Sequence, residues 1–142
     1  MQKKVLITSA LLYANGSLHL GHLAGAYLPA DIFARFSRFI GDDVHFISGS
    51  DEYGVAITLA AEKEKKTPKA YVDHFHKVNK ALFEALDFSF DHYSRTTCKG
   101  HSELVQDFFI QLDKNGYIEK TKTKQLFSEK ENRFLADRYV VG

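Results

Sequence analysis

The sequence has a single cysteine, Cys98, and no tryptophan among its 142 residues. One cysteine cannot form an intrachain disulfide, and it excludes a zinc site built from several cysteines of this chain. These exclusions fit a reducing compartment, so we expect a cytoplasmic protein. The residue pattern predicts no metal site.

Long apolar runs and an excess of one charge are also missing. The first apolar run, residues 5–7, is too short for a secretory signal or a membrane span, so we expect no association with membranes. The 19 lysines and arginines nearly balance the 18 aspartates and glutamates. Net charge therefore gives no general indication of nucleic-acid binding, and a bound RNA would have to be recognised by local patches.

Apolar residues dominate the rest of the sequence, in short runs typical of strands or at the spacing typical of helices. Hydrophobic residues make up 44% of the chain, which is enough for a core. Short apolar runs predict strands over residues 4–9, 43–48 and 88–96, the first of them buried on both faces. Helical spacing predicts helices over residues 20–40, 55–66, 68–86 and 101–115. Strand and helix in alternation predict an α/β fold with a parallel sheet.

This alternation stops near residue 114. Residues 117–141 predict only short strands and turns, so we place one domain over residues 1–114 and the start of another over 115–142. Local signals refine the first long helix: Ser17 is the predicted N-cap, Pro29 should kink the helix, and Gly41 should end it. Residues 49–54 are predicted to form a loop, and His74 and His76 to lie on a solvated helix face.

The stretch "LHLGH", residues 18–22, follows the loop that leaves the first predicted strand. Ligands of open α/β sheets bind at the carboxyl ends of strands, and helix N-termini attract phosphate. His19 and His22 are three apart at such a helix start, and Gly21 between them allows a flat ring or a phosphate to approach the backbone. The pattern favours phosphate-directed catalysis, although histidines at a helix start also serve as caps or surface residues.

The wider pattern resembles the class I aminoacyl-tRNA synthetases, and among them the methionyl-tRNA synthetases. "SALLYANGSLHLGH" resembles their HIGH signature and its approach, and three further stretches match in order: "LPADIFARF", "GSDEYG" and "FLADRYVVG". The resemblance implies a Rossmann-like catalytic domain interrupted by a connective-peptide insertion, whose start is residues 115–142. It also implies a ligase that uses ATP, with Mg²⁺, to convert methionine to methionyl-adenylate and then charges tRNA(Met).

The resemblance also assigns site residues. His19 and His22 would be catalytic and hold the ATP phosphates, with Gly21 and Asn15 also binding ATP. The methionine-binding residues would be Ala10, Leu11, Tyr13 and Asp51, where Asp51 would pair with the α-ammonium and Glu52 is the neighbouring alternative. Asp51 could instead cap the next helix.

The sequence departs from the family at two positions and lacks several of its parts. Leu12 stands where proline is frequent, which makes the loop before Tyr13 less rigid, and Tyr53 stands where histidine is common. The KMSKS signature and the zinc-binding cysteines of the insertion are absent, so zinc is possible only in a longer enzyme. We therefore expect an N-terminal part of such an enzyme, inactive by itself.

Two other classes of function fit the same residues. A small nucleotidyltransferase uses a related His-x-Gly-His after its first strand, although a glycine-rich segment then tends to precede the motif. A stand-alone module that binds a nucleotide or an amino acid fits a chain without the second signature.

Overall fold

The computed structural model describes residues 2–130 and 132–134. The strands are β1 (Lys4–Thr8), β2 (Leu12–Tyr13), β3 (Asp43–Asp51), β4 (His92–Arg95), β5 (Phe127–Ser128) and β6 (Arg133–Phe134). The helices are α1 (Leu20–His22), α2 (Leu28–Phe39), α3 (Val55–Lys63), α4 (Pro68–Ala85) and α5 (Lys99–Lys114), with a π-helical turn, Leu23–Tyr27, joining α1 to α2. The motif "FLADRYVVG" lies outside the described residues beyond Phe134.

A parallel sheet centred on β3 confirms the predicted fold class. Strands β1 and β2 both pair with one side of β3, and β4 pairs with the other side. Every pairing in this sheet is parallel, and helices connect β2 to β3 and β3 to β4. The carboxyl ends of the strands therefore meet at one edge, the edge where the sequence places its candidate site residues.

An interruption separates β1 from β2. Thr8 pairs with Ile47 and Leu12 with Ser50, so residues 9–11 lie opposite only residues 48 and 49. The extra residue is a bulge, and it reverses the alternation of side chains. Ile7 in β1 and Leu12 in β2 are both buried on the same face of the sheet. The sequence pattern did not predict β2.

Helices cover one face of this sheet in the described part of the chain. Ile7, Val44 and Phe46 pack with Ala34 of α2, while Leu12 packs with Phe83 of α4. The alternate side chains lie on the other face, where Leu6 is 66% exposed. The prediction of a first strand buried on both faces is therefore wrong for the described residues, since helices pack on one face only.

The first long helix differs from the prediction at its start. His19, not Ser17, is the N-cap, because the His19 side chain accepts the His22 N–H. The π-helical turn lies directly before Pro29, where the Leu28 N–H donates to the carbonyl of Leu23. Proline has no N–H that could donate to the Gly25 carbonyl, and this wider turn accommodates it. Such turns are frequent at functional sites.

Strand β3 is longer than predicted. Ser50 and Asp51 continue it because they pair with β2, so only residues 52–54 connect it to α3. Strand β4 is shorter than the predicted strand over residues 88–96, and it starts only at His92. The helix boundaries after β3 lie within three residues of the predictions.

The chain divides into two units, Met1–Ser102 and Glu103–Gly142, with the division inside α5. The predicted boundary at residue 114 stays a prediction. Within the second unit, β5 and β6 form an antiparallel hairpin in which the Phe127 and Phe134 rings lie 5.1 Å apart. Of the described helices, none is long and apolar enough to span a membrane.

Candidate active site

A cavity of about 220 Å³ lies at the carboxyl edge of the sheet, between the β1–β2 bulge and the start of the first long helix. Its lining residues are Ala10, Leu11, Leu12, Tyr13, Asn15, Gly16, Ser17, His22, Ala26 and Tyr27. The cavity is lined by apolar groups together with an imidazole, two phenols and polar side chains of the loop. No lysine or arginine is among these lining residues.

The two histidines of the motif form a stacked pair. Their ring centroids are 3.6 Å apart, with 21° between the ring planes. The His22 N–H donates to His19 Nδ1, and the His19 N–H donates to His22 Nδ1, each over 3.4 Å. Because both Nδ1 atoms accept, a neutral ring carries its proton on Nε2. These two hydrogen bonds therefore leave both Nε2–H groups available as donors to a ligand.

Protonation of His22 is disfavoured. Partial burial, and then the neighbouring His19, lower the pKa of His22 from its ordinary value of 6.5. Near neutral pH His22 is consequently a neutral donor and not a cation. Such a donor stabilises developing negative charge without a full positive charge in the ground state.

Gly21 allows the His19 ring to pack against the backbone. A Cβ at position 21 would lie 3.1 Å from His19 Cε1 and Nδ1, which is closer than ordinary van der Waals contact. The group that approaches Gly21 in this structure is the imidazole of His19, and the approach of a ligand to Gly21 stays a prediction.

Asp51 lies beside Tyr13 at the end of the sheet. The two residues are backbone partners in β3 and β2, so their side chains are on the same face. Asp51 Oδ1 accepts the Tyr53 N–H over 3.3 Å, whereas the N-cap of α3 is Gly54. Gly54 has a φ of 123°, and its missing Cβ would be 3.5 Å from the Tyr13 hydroxyl. Asp51 is therefore not the helix cap.

The structure gathers some of the predicted site residues and separates others. Around the cavity it brings together Ala10, Leu11, Tyr13, Asn15 and His22. His19, Gly21 and Asp51 do not line the cavity, although each adjoins a residue that does. Sequence reasoning missed Tyr27 as a lining residue: its hydroxyl donates to the Ala10 carbonyl over 2.9 Å. Its position one helical turn beyond Leu23 indicated only a residue of the hydrophobic core.

Sequence reasoning also missed a buried charge cluster beside the site. The Glu52 carboxylate accepts from Arg95 Nε and from Ser50 Oγ, both over 2.8 Å, and from the Thr97 hydroxyl. Arg95 also donates to Asp73 over 2.6 Å. Both carboxylate oxygens of Glu52 are thereby engaged, which leaves Asp51 as the carboxylate beside Tyr13.

His76 belongs to this cluster, so its predicted place on a solvated face is wrong. Its side chain is 13% exposed, and its Nδ1 lies 2.7 Å from Ser50 Oγ. Since Ser50 donates to Glu52, His76 donates to Ser50. The reason for the difference is that α4 turns this residue toward β3, while His74 is exposed as predicted.

Stability should depend on pH through His76. Burial, and then the charge of Arg95, lower the pKa of His76 below 6.5. The folded state therefore favours the neutral ring. The contribution of this ring to the free energy of unfolding is complete above about pH 6.5, and it is lost as the pH falls through the lower pKa of the folded state. We expect His76→Asn, which can still donate to Ser50, to lose less stability than the wild type on acidification. Urea midpoints at about pH 7.5 and pH 5 measure this; equal losses would contradict it.

No three His, Cys, Asp or Glu side chains in residues 2–130 and 132–134 are placed to share a metal ion. Cys98 lies 3.9 Å from Ser94 Oγ. The described residues therefore do not fit a resident metal.

Fold and site together define an α/β domain with a ligand cavity at its sheet edge and paired imidazole donors at a helix start. A family model described as tRNA synthetases class I (M) matches residues 5–142. The chain belongs to this family of class I tRNA synthetases.

Named relatives agree with this assignment. The chain is 62% identical over all 142 residues to a methionine–tRNA ligase of Protochlamydia amoebophila, and 60% identical to one of Chlamydia pneumoniae. It spans 20% and 26% of the lengths of these relatives. A Mycobacterium tuberculosis methionyl-tRNA synthetase in complex with methionyl-adenylate superposes with a TM-score of 0.83 at 30% identity, covering 96% of this chain and 27% of that one.

Proposed function

We propose that this protein is a methionine–tRNA ligase, which forms methionyl-adenylate from methionine and ATP and then charges tRNA(Met). The observation that carries the proposal is the stacked His19–His22 pair, whose free Nε2–H groups stand at a helix start beside a cavity. The relatives named as methionine–tRNA ligases support the substrate.

The histidines act on the phosphates in this proposal. When the methionine carboxylate attacks the α-phosphorus, negative charge builds on the phosphate oxygens as pyrophosphate leaves. Two imidazole donors directed at those oxygens would stabilise that charge more than they stabilise bound ATP. Asn15 and Gly21 flank the same region and would contact the nucleotide.

The bulge residues supply the methionine side of the site. Ala10 and Leu11 lie in the bulge, and Tyr13 follows in β2. Leu11 and Tyr13 offer apolar and aromatic surface to the thioether, for which sulfur–aromatic contact is favourable. The half-buried carboxylate of Asp51 on the same face as Tyr13 would pair with the α-ammonium.

Other parts of the reaction need residues that are not among the lining residues. The cavity has no cationic side chain for a triphosphate, so the proposal requires positive charge from elsewhere, such as a lysine-rich loop or Mg²⁺ carried by ATP. We also propose that residues 115–142 start a connective-peptide insertion. Any zinc of the complete enzyme would then be bound by residues outside this chain. We further propose that the enzyme is cytoplasmic. The 142 residues alone are expected to be inactive.

Substitution of Asp51 tests the methionine site. Asp51→Asn keeps the size of the side chain but removes its charge. The KM for methionine in the complete protein should therefore rise about ten- to a hundredfold, which corresponds to the free energy of a hydrogen bond to a charged group. Methionine-dependent exchange of labelled pyrophosphate into ATP measures this. Affinity for a methionine analogue without its amino group should not change.

Asp43→Asn is the matched control, because Asp43 is an exposed aspartate at the other end of β3. It should leave the KM for methionine at the wild-type value. Equal losses of affinity for methionine and for the analogue after Asp51→Asn would show that Asp51 is structural.

A further inference from the structure

Asn79 of α4 joins this helix to the loop that precedes the histidine pair. Its side chain is completely buried. Its Nδ2 donates to the Gly16 carbonyl over 3.1 Å, and its Oδ1 accepts the Leu18 N–H over 3.0 Å. One amide group thus fixes the backbone on both sides of Ser17, across more than 60 residues of sequence.

The segment held by Asn79 leads directly into the catalytic pair. Leu18 immediately precedes His19, the N-cap of the helix. The Leu18 side chain is buried against Leu12, Tyr27 and Phe83. The position and direction of the His19 backbone therefore depend on where Asn79 holds Leu18.

A polar residue at this buried position needs an explanation beyond packing. The surroundings of α4 in the core are apolar: Val72 and Phe83 of the same helix pack in hydrophobic clusters. Burying an amide costs free energy that an apolar side chain of the same size would avoid, and only satisfied hydrogen bonds offset that cost. Both ends of the amide are satisfied by the loop alone, so the contribution of Asn79 is the position of that loop.

We propose that Asn79 is a positioning residue that sets the His19–His22 pair against the reacting phosphate. The inference rests on the proposed function of this site. It predicts a separation of effects, because the methionine side is held differently: Tyr13 pairs with β3, and the Ala10 carbonyl accepts from Tyr27. Loss of the Asn79 contacts should misplace the phosphate donors and leave the methionine contacts in place.

The test is Asn79→Leu in the complete protein, which keeps the branched shape of the side chain and removes both hydrogen bonds. We expect kcat for methionine-dependent pyrophosphate exchange to fall about ten- to a hundredfold, since a misplacement of about 1 Å can cost this much. The KM for methionine should change by less than about threefold. Asn79→Asp, which keeps the acceptor for Leu18 N–H, should retain an intermediate kcat, and it carries the test if Asn79→Leu does not fold.

Val72→Ala is the matched control, since it removes buried volume from the same helix without removing a hydrogen bond to the loop. It should lower the thermal midpoint while kcat of the folded enzyme stays at the wild-type value. The proposal is overturned if Asn79→Leu and Asn79→Asp also lower only the thermal midpoint. If His22→Ala likewise leaves exchange unchanged, the catalytic assignment of the pair has failed; if His22→Ala abolishes exchange, the failure belongs to Asn79 alone.

Discussion

Replacing His22 with alanine in the complete protein is expected to lower the rate of methionyl-adenylate formation about 10²–10³-fold, the usual effect of removing one preorganised donor to a developing charge. His19→Ala should have an effect of the same size. Apparent affinity for ATP should change much less, because the donors act mainly in the transition state. Pre-steady-state measurement of adenylate formation separates the chemical rate from ATP binding.

Alanine at position 22 removes a helix cap as well as a donor, since His22 Nδ1 accepts the His19 N–H. His22→Asn resolves the two roles: it offers an acceptor near the former Nδ1 but has no donor at the position of Nε2. We expect His22→Asn to be as slow as His22→Ala. The control is His74→Ala, which removes an exposed histidine of α4 and should have no effect on the rate. Weaker ATP binding with an unchanged chemical rate would refute the assignment of His22.

The second large effect is on stability. Arg95→Leu should destabilise the fold by about 3–5 kcal/mol, because it leaves the carboxylate of Glu52 buried without its ionic partner. The Glu52 side chain is fully buried, and Arg95 Nε is its closest cation at 2.8 Å among the described ion pairs. Shifts of the urea midpoint, with the slope held constant, measure the loss.

Two comparisons identify the cause of that loss. The double variant Glu52→Leu with Arg95→Leu should recover much of the stability, since an apolar pair of similar volume avoids the uncompensated charge. Lys69→Leu removes an ion pair to Asp73 whose lysine is 83% exposed, so it should cost at most about 1 kcal/mol. A loss for Arg95→Leu as small as that for Lys69→Leu would show that Glu52 is solvated in the folded protein.

The sequence predicted the features of this molecule that depend on local pattern. Short apolar runs located β1, β3 and β4, and the spacing of apolar residues located the long helices. The position of His19 and His22 after the first strand was enough to place them at a helix start near the sheet edge. Local periodicity and chain order determine all of these features.

Features that depend on tertiary pairing could not be predicted in this way. The strand β2 exists only because Leu12 and Tyr13 meet Ser50 and Asp51, and two residues carry no periodicity. The contacts of Glu52 with Arg95 and Thr97 join residues more than 40 apart in sequence. In the sequence, His76 is one of two histidines that lie two residues apart on a polar helix. Its contact with Ser50 depends on how α4 packs against β3, which the sequence pattern does not show.

The bulge of residues 9–11 has a consequence for how such sequences can evolve. If residues 9–12 continued the register of β1 without the bulge, Leu12 would lie opposite Asp51, the partner of Tyr13, and would turn away from the core. The segment has the irregular backbone of a surface loop, yet its length is constrained as tightly as that of a strand. Loss of one residue there would keep Leu12 opposite Ser50 but would remove the bulge from which Ala10 and Leu11 line the cavity, so single-residue insertions and deletions should be rare at these positions.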